Sequence, residues 1–149
     1  MSTYTQILYQ IVFLTKNKDK SLIGSANRVK LYKYIRAILA NKQCVVYKVN
    51  GINDHVHIAT HIHPSQALSS VVKDIKVSTS LWIKQENIFP NFRGWQIGYG
   101  AFTYSIDAKE KLVNYINNQE SHHSKTSFRE EYIKLLNDHN IKFEEKYLL

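Results

Sequence analysis

The stretch Cys44–Ile62, CVVYKVNGINDHVHIATHI, decides how the rest of the chain is read. Cys44–Asn50 is rich in β-branched residues and reads as a strand; Gly51 with Asn53-Asp54 supplies turn chemistry, and His55–Ile62 reads as the returning strand of a hairpin. Pro64 stops it, because proline cannot donate to the ladder. Side chains alternate along a strand, so His55 and His57 share one face while Val56 and Ile58 share the other. Two imidazoles at that spacing can converge on one cation, although such pairs also occur as ordinary buried histidines. His61 and His63 have the same parity. At about 3.3 Å per residue the row is too long for His55 and His63 to share an ion, so both read as loop-end residues.

Upstream, Tyr4–Thr15 (YTQILYQIVFLT) predicts a long strand, apolar on both faces and hence central in a sheet. A charged loop, Lys16–Lys20, follows. Ser25 is placed to cap a helix with Val29, Tyr32, Ile35 and Ile38/Leu39 as its stripe, leaving Arg28, Lys30, Lys33 and Arg36 outside it. Downstream of the hairpin, a second helix runs from Ser65 or Gln66 to about Glu86. Its stripe is Leu68, Val71/Val72, Ile75, Thr79 and Trp82, with Lys73, Lys76 and Lys84 outside.

Trp95–Ile106 alternates and predicts a fourth strand, with Gly98 and Gly100 leaving one face bare for a ligand or a packed helix. A third helix, Ala108 to about Ser121, carries Leu112, Val113 and Ile116. On an adjacent face Lys111, Tyr115 and Gln119 follow each other at i, i+4. His122 and His123 at its end read as favourable charge at a helix C-terminus. A last helix, about Ser127 to Asn140, presents Tyr132 and Leu135/Leu136, and the tail 144–149 reads as loosely held. The order β-α-β-β-α-β, then helices, predicts a single α+β domain over residues 1–149, ferredoxin-like or RRM-like. Both early helices cover one face of an antiparallel sheet. The other face is left for nucleic acid, a partner sheet or the C-terminal helices.

With 149 residues, a net charge of +8 and ten tyrosines, the chain suits a polyanionic partner and stacking on unpaired bases. No apolar run is long enough to cross a membrane and no secretory signal stands at the N-terminus, so the expected location is the cytoplasm. The lone cysteine, Cys44, excludes an internal disulfide framework and fits a reducing compartment.

Asn53-Asp54 before His55-Val56-His57, the run Trp95-x-x-Gly98-Tyr99-Gly100-Ala101-Phe102, and Tyr115-Ile116-Asn117-Asn118-Gln119 together resemble the single-tyrosine HUH transposases (TnpA-like). These belong to insertion sequences that move as single-stranded DNA. The resemblance covers nearly the whole chain, in order. It implies that His55, His57 and Gln119 bind a divalent cation, Mg²⁺ or Mn²⁺. The residues alone do not exclude Zn²⁺, since imidazole favours transition metals. It implies that Tyr115 attacks a phosphodiester to give a 5′-phosphotyrosine and a free 3′-hydroxyl. It implies hairpin ends of single-stranded DNA as substrate, and a homodimer in which the tyrosine helix of one copy completes the other's site in trans. Arg28, Arg36, Lys73, Lys76 and Arg93 are the candidate DNA contacts. Two other readings stand beside this one: a non-catalytic RRM-like nucleic-acid binder, and a domesticated repeat-associated tyrosine transposase with the same chemistry in a host role.

Overall fold

A computed structural model describes residues 1–148. Its frame is one four-stranded sheet in the order β2-β3-β1-β4, where β1 is Leu8–Leu14, β2 Val45–Gly51, β3 His55–His61 and β4 Gly100–Tyr104. Every pairing is antiparallel. This is the expected ferredoxin-like arrangement, with β1 and β3 interior and buried on both faces.

Helices α1 (Ser25–Asn41) and α2 (Leu68–Glu86) lie on the face carrying Ile11, Phe13, Val49, Val56 and Ile58. The stripe of α1 is Leu31, Tyr32, Ile35 and Leu39, and Val29 is exposed. The opposite face is not open. Helix α3 (Lys109–Asn117) packs Leu112 and Ile116 on Leu8 and Ala59. Helix α5 (Phe128–Asp138) packs Phe128, Tyr132, Leu135 and Leu136 on Val12, Leu14 and Phe102. Of the three possible occupants, the chain's own C-terminal helices cover this face.

Four boundaries differ from the sequence expectation. β1 begins at Leu8 rather than Tyr4, because its partner strand ends at His61, opposite Leu8. Helix α2 begins at Leu68, after a turn in which His63 accepts from the Ser65 and Gln66 backbone N–H groups. β4 begins at Gly100, not Trp95. Residues 95–99 form an irregular crossing between β1 and β4: Trp95 still bridges Thr15 and the Gln96 N–H donates to the Leu14 carbonyl, but the ladder then breaks, with Gly98 at φ 92°, a value extended strands do not use. Lys76 Nζ pins this crossing by donating to the Gln96 and Gly98 carbonyls at 2.8 and 2.5 Å. Gly98 therefore does not share a strand face with Gly100.

The third helix is also not continuous. It stops at Asn117, and α4 (Gln119–His123) starts a new short helix. Asn50 on β2 explains the stop, since its amide donates to the carbonyls of Ile116 and Asn117 at 2.9 and 3.2 Å. Those carbonyls belong to a helix's unpaired last turn, and satisfying them from outside ends the helix there.

Two glycines set the site's approach distances. A Cβ at Gly51 would meet the His55 carbonyl oxygen at 2.1 Å, so the tight hairpin that presents His55 requires glycine. A Cβ at Gly100 would meet the Tyr132 ring at 2.8 Å, so Gly100 admits α5 to the sheet. A Gly100→Val protein should lose about 1–3 kcal/mol in urea denaturation, although valine is the better strand former. An unchanged or raised midpoint would show that α5 does not seat there.

Candidate metal and nucleophile site

His55 and His57 stand on the sheet face under α3–α5, and both are fully buried. Each imidazole is held at Nδ1 and aims Nε2 at the same place. His55 Nδ1 meets Asp54 Oδ1 at 2.7 Å and His57 Nδ1 meets the Gln10 amide at 3.1 Å. Gln10 lies on β1 beside the pair and is itself held by the Tyr104 hydroxyl, which donates to its Oε1 at 2.5 Å. The carboxylate grip on His55 Nδ1 is the arrangement that metal sites use to fix ring orientation, whereas His57 Nδ1 faces the Gln10 amide nitrogen and its Nε2 faces Glu131.

Gln119 opens α4 and is fully buried. Its Oε1 lies 2.9 Å from His55 Nε2. With the Nδ1 proton given to Asp54, His55 Nε2 presents a lone pair, and Gln119 Oε1 presents another. Two acceptors facing each other are satisfied by a positive charge beside them.

The group that sequence reasoning missed is Glu131, on α5 and 2% exposed. Its Oε1 lies 3.0 Å from His57 Nε2, 3.8 Å from His55 Nε2 and 3.2 Å from His123 Nε2. Its Oε2 accepts from the Tyr115 hydroxyl, and from Gln119 Nε2 at 3.2 Å. One carboxylate thus gathers the histidine pair, the glutamine and the tyrosine. Ligand atoms of His55, His57 and Glu131 all lie within 4.8 Å of one another, close enough to hold one ion. Two imidazoles, a carboxylate and an amide oxygen are a donor set that suits a divalent cation of Mn²⁺ or Zn²⁺ character.

Sequence did hold a signal for Glu131. Phe128, Glu131, Tyr132 and Leu135 fall on one helical stripe, which places a carboxylate on a buried face. His122 and His123 do stand in the last turn of a helix, the short α4, and both also approach this carboxylate.

The charges are strongly coupled. Burial raises the Glu131 carboxyl, but hydrogen bonds from His123 and His57 outweigh it and hold the group well below the usual carboxylate range. Burial and the neighbouring Glu131 carboxylate push the Tyr115 phenol far above its ordinary value, so in this closed state it stays protonated. Burial lowers His57 to about 4 against the pull of Glu131.

All four residues carried by the resemblance meet within one chain. Tyr115 reaches the histidines of its own copy, where the resemblance implied a partner's. A cavity of about 600 Å³ opens between α3 and α5 beside Tyr115, lined also by Tyr104, Lys111, Glu130 and Lys134. The five candidate DNA contacts are not gathered here. Arg28 donates to the Leu22 carbonyl at 2.9 Å and pairs with Glu120 at 3.1 Å, tying α1 to α4. Arg93 pairs with Asp19 at 2.6 Å. Lys76 holds the 95–99 crossing. Arg36 and Lys73 belong to α1 and α2, on the opposite layer.

The family profile described as "Transposase IS200 like" matches residues 3–119, and the chain belongs to that family. Two solved structures share its fold. One is a candidate transposase of Deinococcus radiodurans R1, with TM-score 0.61 and 20% identity over 80% of this chain and 95% of that one. The other is a REP-associated tyrosine transposase bound to a REP hairpin, with TM-score 0.59 and 16% identity over 85% and 76%. No curated protein matches the chain. Glu131 lies beyond the matched residues, as do His122 and His123. Among the described residues no helix is long and apolar enough to cross a membrane.

A pH dependence of stability follows from the buried histidine. Unfolded His57 takes a proton near pH 6.5, and folded His57 only near 4. Its contribution is therefore present above pH 6.5 and lost as pH falls toward 4. Glu131, with its depressed folded value, acts in the same direction below about pH 4.5. His123, raised by Glu131 against the effect of burial, offsets part of the loss. Metal-free protein should lose on the order of a few kcal/mol over that window. Thermal melts checked against His57→Gln should show a shallower slope in the variant.

Proposed function

We propose that the chain is a metal-dependent nuclease and strand transferase acting on single-stranded DNA, with Tyr115 as nucleophile. One observation carries this reading: the Tyr115 hydroxyl and the Nε2 atoms of His55 and His57 converge on opposite oxygens of the same buried carboxylate. That spacing suits a phosphodiester that bridges a cation and a nucleophile.

His55, His57 and Gln119 would hold the ion, with Glu131 in reach of it. A bound divalent cation supplies positive charge to the phosphate's non-bridging oxygens and makes phosphorus more open to attack. Asp54 and Gln10 keep both imidazoles turned inward. For both Nε2 atoms to ligate, His57 must carry its proton on Nδ1, and the Gln10 amide must then turn its oxygen toward that proton. Tyr115 sits on the rigid frame of α3, whose Leu112 and Ile116 are anchored to the sheet. This fixes the phenol's direction of approach and lowers the entropic cost of in-line attack. As the Tyr115 oxygen bonds to phosphorus, the bond to the 3′-oxygen breaks and that oxygen gains a proton. The phenol proton points at Glu131. The product is a 5′-phosphotyrosine, whose bond energy is kept for rejoining to a second 3′-hydroxyl.

The substrate we infer is a DNA hairpin with a single-stranded flank. The REP-associated relative of the same fold is bound to a hairpin, and the net charge of +8 favours a polyanion. Lys111 lines the cavity beside Tyr115 and is in reach of a flanking phosphate there, as is Lys134 once it leaves Asp138, 2.6 Å away. Incubation with end-labelled single-stranded hairpin DNA and Mn²⁺ should give a protein-linked band on a denaturing gel, absent in Tyr115→Phe and without metal. Binding without any adduct, across divalent metals, would leave the RRM-like binder as the better account.

Assembly has its own test. Tyr115 stands beside the histidines of its own chain, which supports a nucleophile acting in cis. Mixing Tyr115→Phe with His55→Ala/His57→Ala protein should therefore give no adduct above either alone. Recovery of a substantial fraction of wild-type activity would restore the trans arrangement.

A further inference from the structure

Tyr104, Gln10 and His57 stand on one face of three adjacent strands, β4, β1 and β3, each diagonal to the next. Their hydrogen bonds run in one direction. The Tyr104 hydroxyl donates to Gln10 Oε1 at 2.5 Å, which leaves the Gln10 amide nitrogen 3.1 Å from His57 Nδ1. An amide nitrogen only donates, so Nδ1 accepts from it. On the far side of the ring, His57 Nε2 lies 3.0 Å from Glu131 Oε1, and a carboxylate only accepts. The ring proton therefore sits on Nε2. The metal-free chain holds His57 in the tautomer that cannot ligate through Nε2.

Gln10 and His57 are fully buried, so bonds given up in a change of tautomer must be regained within the chain. With the ring proton on Nδ1, Gln10 must turn over, presenting Oε1 to His57 and its amino group to Tyr104. A hydroxyl both donates and accepts. Tyr104 can thus accept from the turned amide while its own proton swings toward the cavity that it lines. Phenylalanine at this position could do neither.

We propose that Tyr104, acting through Gln10, is a positioning residue that lets His57 change tautomer when a cation takes its Nε2. The N–H bond at Nε2 breaks and one at Nδ1 forms. One proton is released to solvent and one is taken up, so the ring keeps its charge and the net count is unchanged. The inference rests on the metal reading given above and concerns the side chains behind the ligand, none of which touches the ion.

The full chain with ¹⁵N-labelled histidine, held at about pH 7.5, above the ordinary histidine value, tests it by long-range ¹H–¹⁵N spectra. His57→Gln identifies the His57 signals. Wild-type His57 should carry its proton on Nε2 without metal and on Nδ1 with Zn²⁺, and this comparison needs no other variant to fold. Calorimetric titration with Zn²⁺ should show affinity about 10–100-fold lower in Gln10→Met, which takes the acceptor away from Nδ1–H. Tyr104→Phe should weaken binding several-fold on its own and add nothing to Gln10→Met, because it acts through Gln10. A side chain that merely packs would add its loss in both backgrounds. A proton on Nδ1 in the metal-free wild type overturns the proposal, as does wild-type affinity in Gln10→Met or a Tyr104→Phe loss that persists beside Gln10→Met. A wild type that binds no Zn²⁺ overturns the metal reading and this inference with it. One that binds Zn²⁺ while His57 keeps its Nε2 proton overturns this inference alone.

Discussion

The carboxylate of Glu131 is sealed between α5 and the sheet, and most of the site is arranged around the need to compensate it. An isolated buried carboxylate costs far more than the protein's net stability could bear. Here His57, His123, Tyr115 and Gln119 hydrogen-bond to it, and His55 and His122 lie close by. These partners come from β3, α3 and α4, so the charge on α5 ties three other elements to it at once. The same burial that makes the network costly to break also keeps the Tyr115 phenol protonated and His57 neutral in the closed state.

Short-range features deliver those partners. Gly51 lets the hairpin turn tightly against the His55 backbone, and Asp54 in that turn grips the His55 ring. Asn50 ends α3 just after Tyr115, so Gln119 starts a new direction and turns inward. Gly100 opens room for Tyr132, which brings α5 and Glu131 down onto the sheet. None of these residues touches phosphate in the proposed chemistry, yet each sets where a reacting group stands.

The arrangement also separates the protein's two layers by role. Helices α1 and α2 and the apolar face of the sheet form the larger core, and several cations on this side are used to tie segments together. The opposite layer holds the histidines, the tyrosine and a cavity edged by Lys111 and Lys134. The cations that sequence periodicity singled out on α1 and α2 thus stand on the layer opposite Tyr115. A lysine or arginine outside an apolar stripe can be consumed by a carbonyl or carboxylate from a distant segment.

The element order, the central place of β1 and the shared face of His55 and His57 were legible in the sequence, because strand alternation and helical periodicity are local rules; Tyr115 and Gln119 were singled out by the resemblance, and the structure puts them on two helices rather than one. Local rules also predicted one helix from Ala108 to about Ser121 and one strand from Trp95. The structure breaks the first through a side chain from β2, and the second through a positive φ at Gly98 and a lysine from α2. Glu131 lies 74 positions from His57, and no periodicity links them. Its place on the apolar stripe of α5 was visible, but its partner was not. What the sequence by itself determined was the order of the elements and the face of β3 on which His55 and His57 stand. Only the tertiary structure decided that α5 folds back over the sheet, because the packing that seats it depends on Gly100, Val12 and Phe102 meeting Phe128 and Tyr132 across the fold.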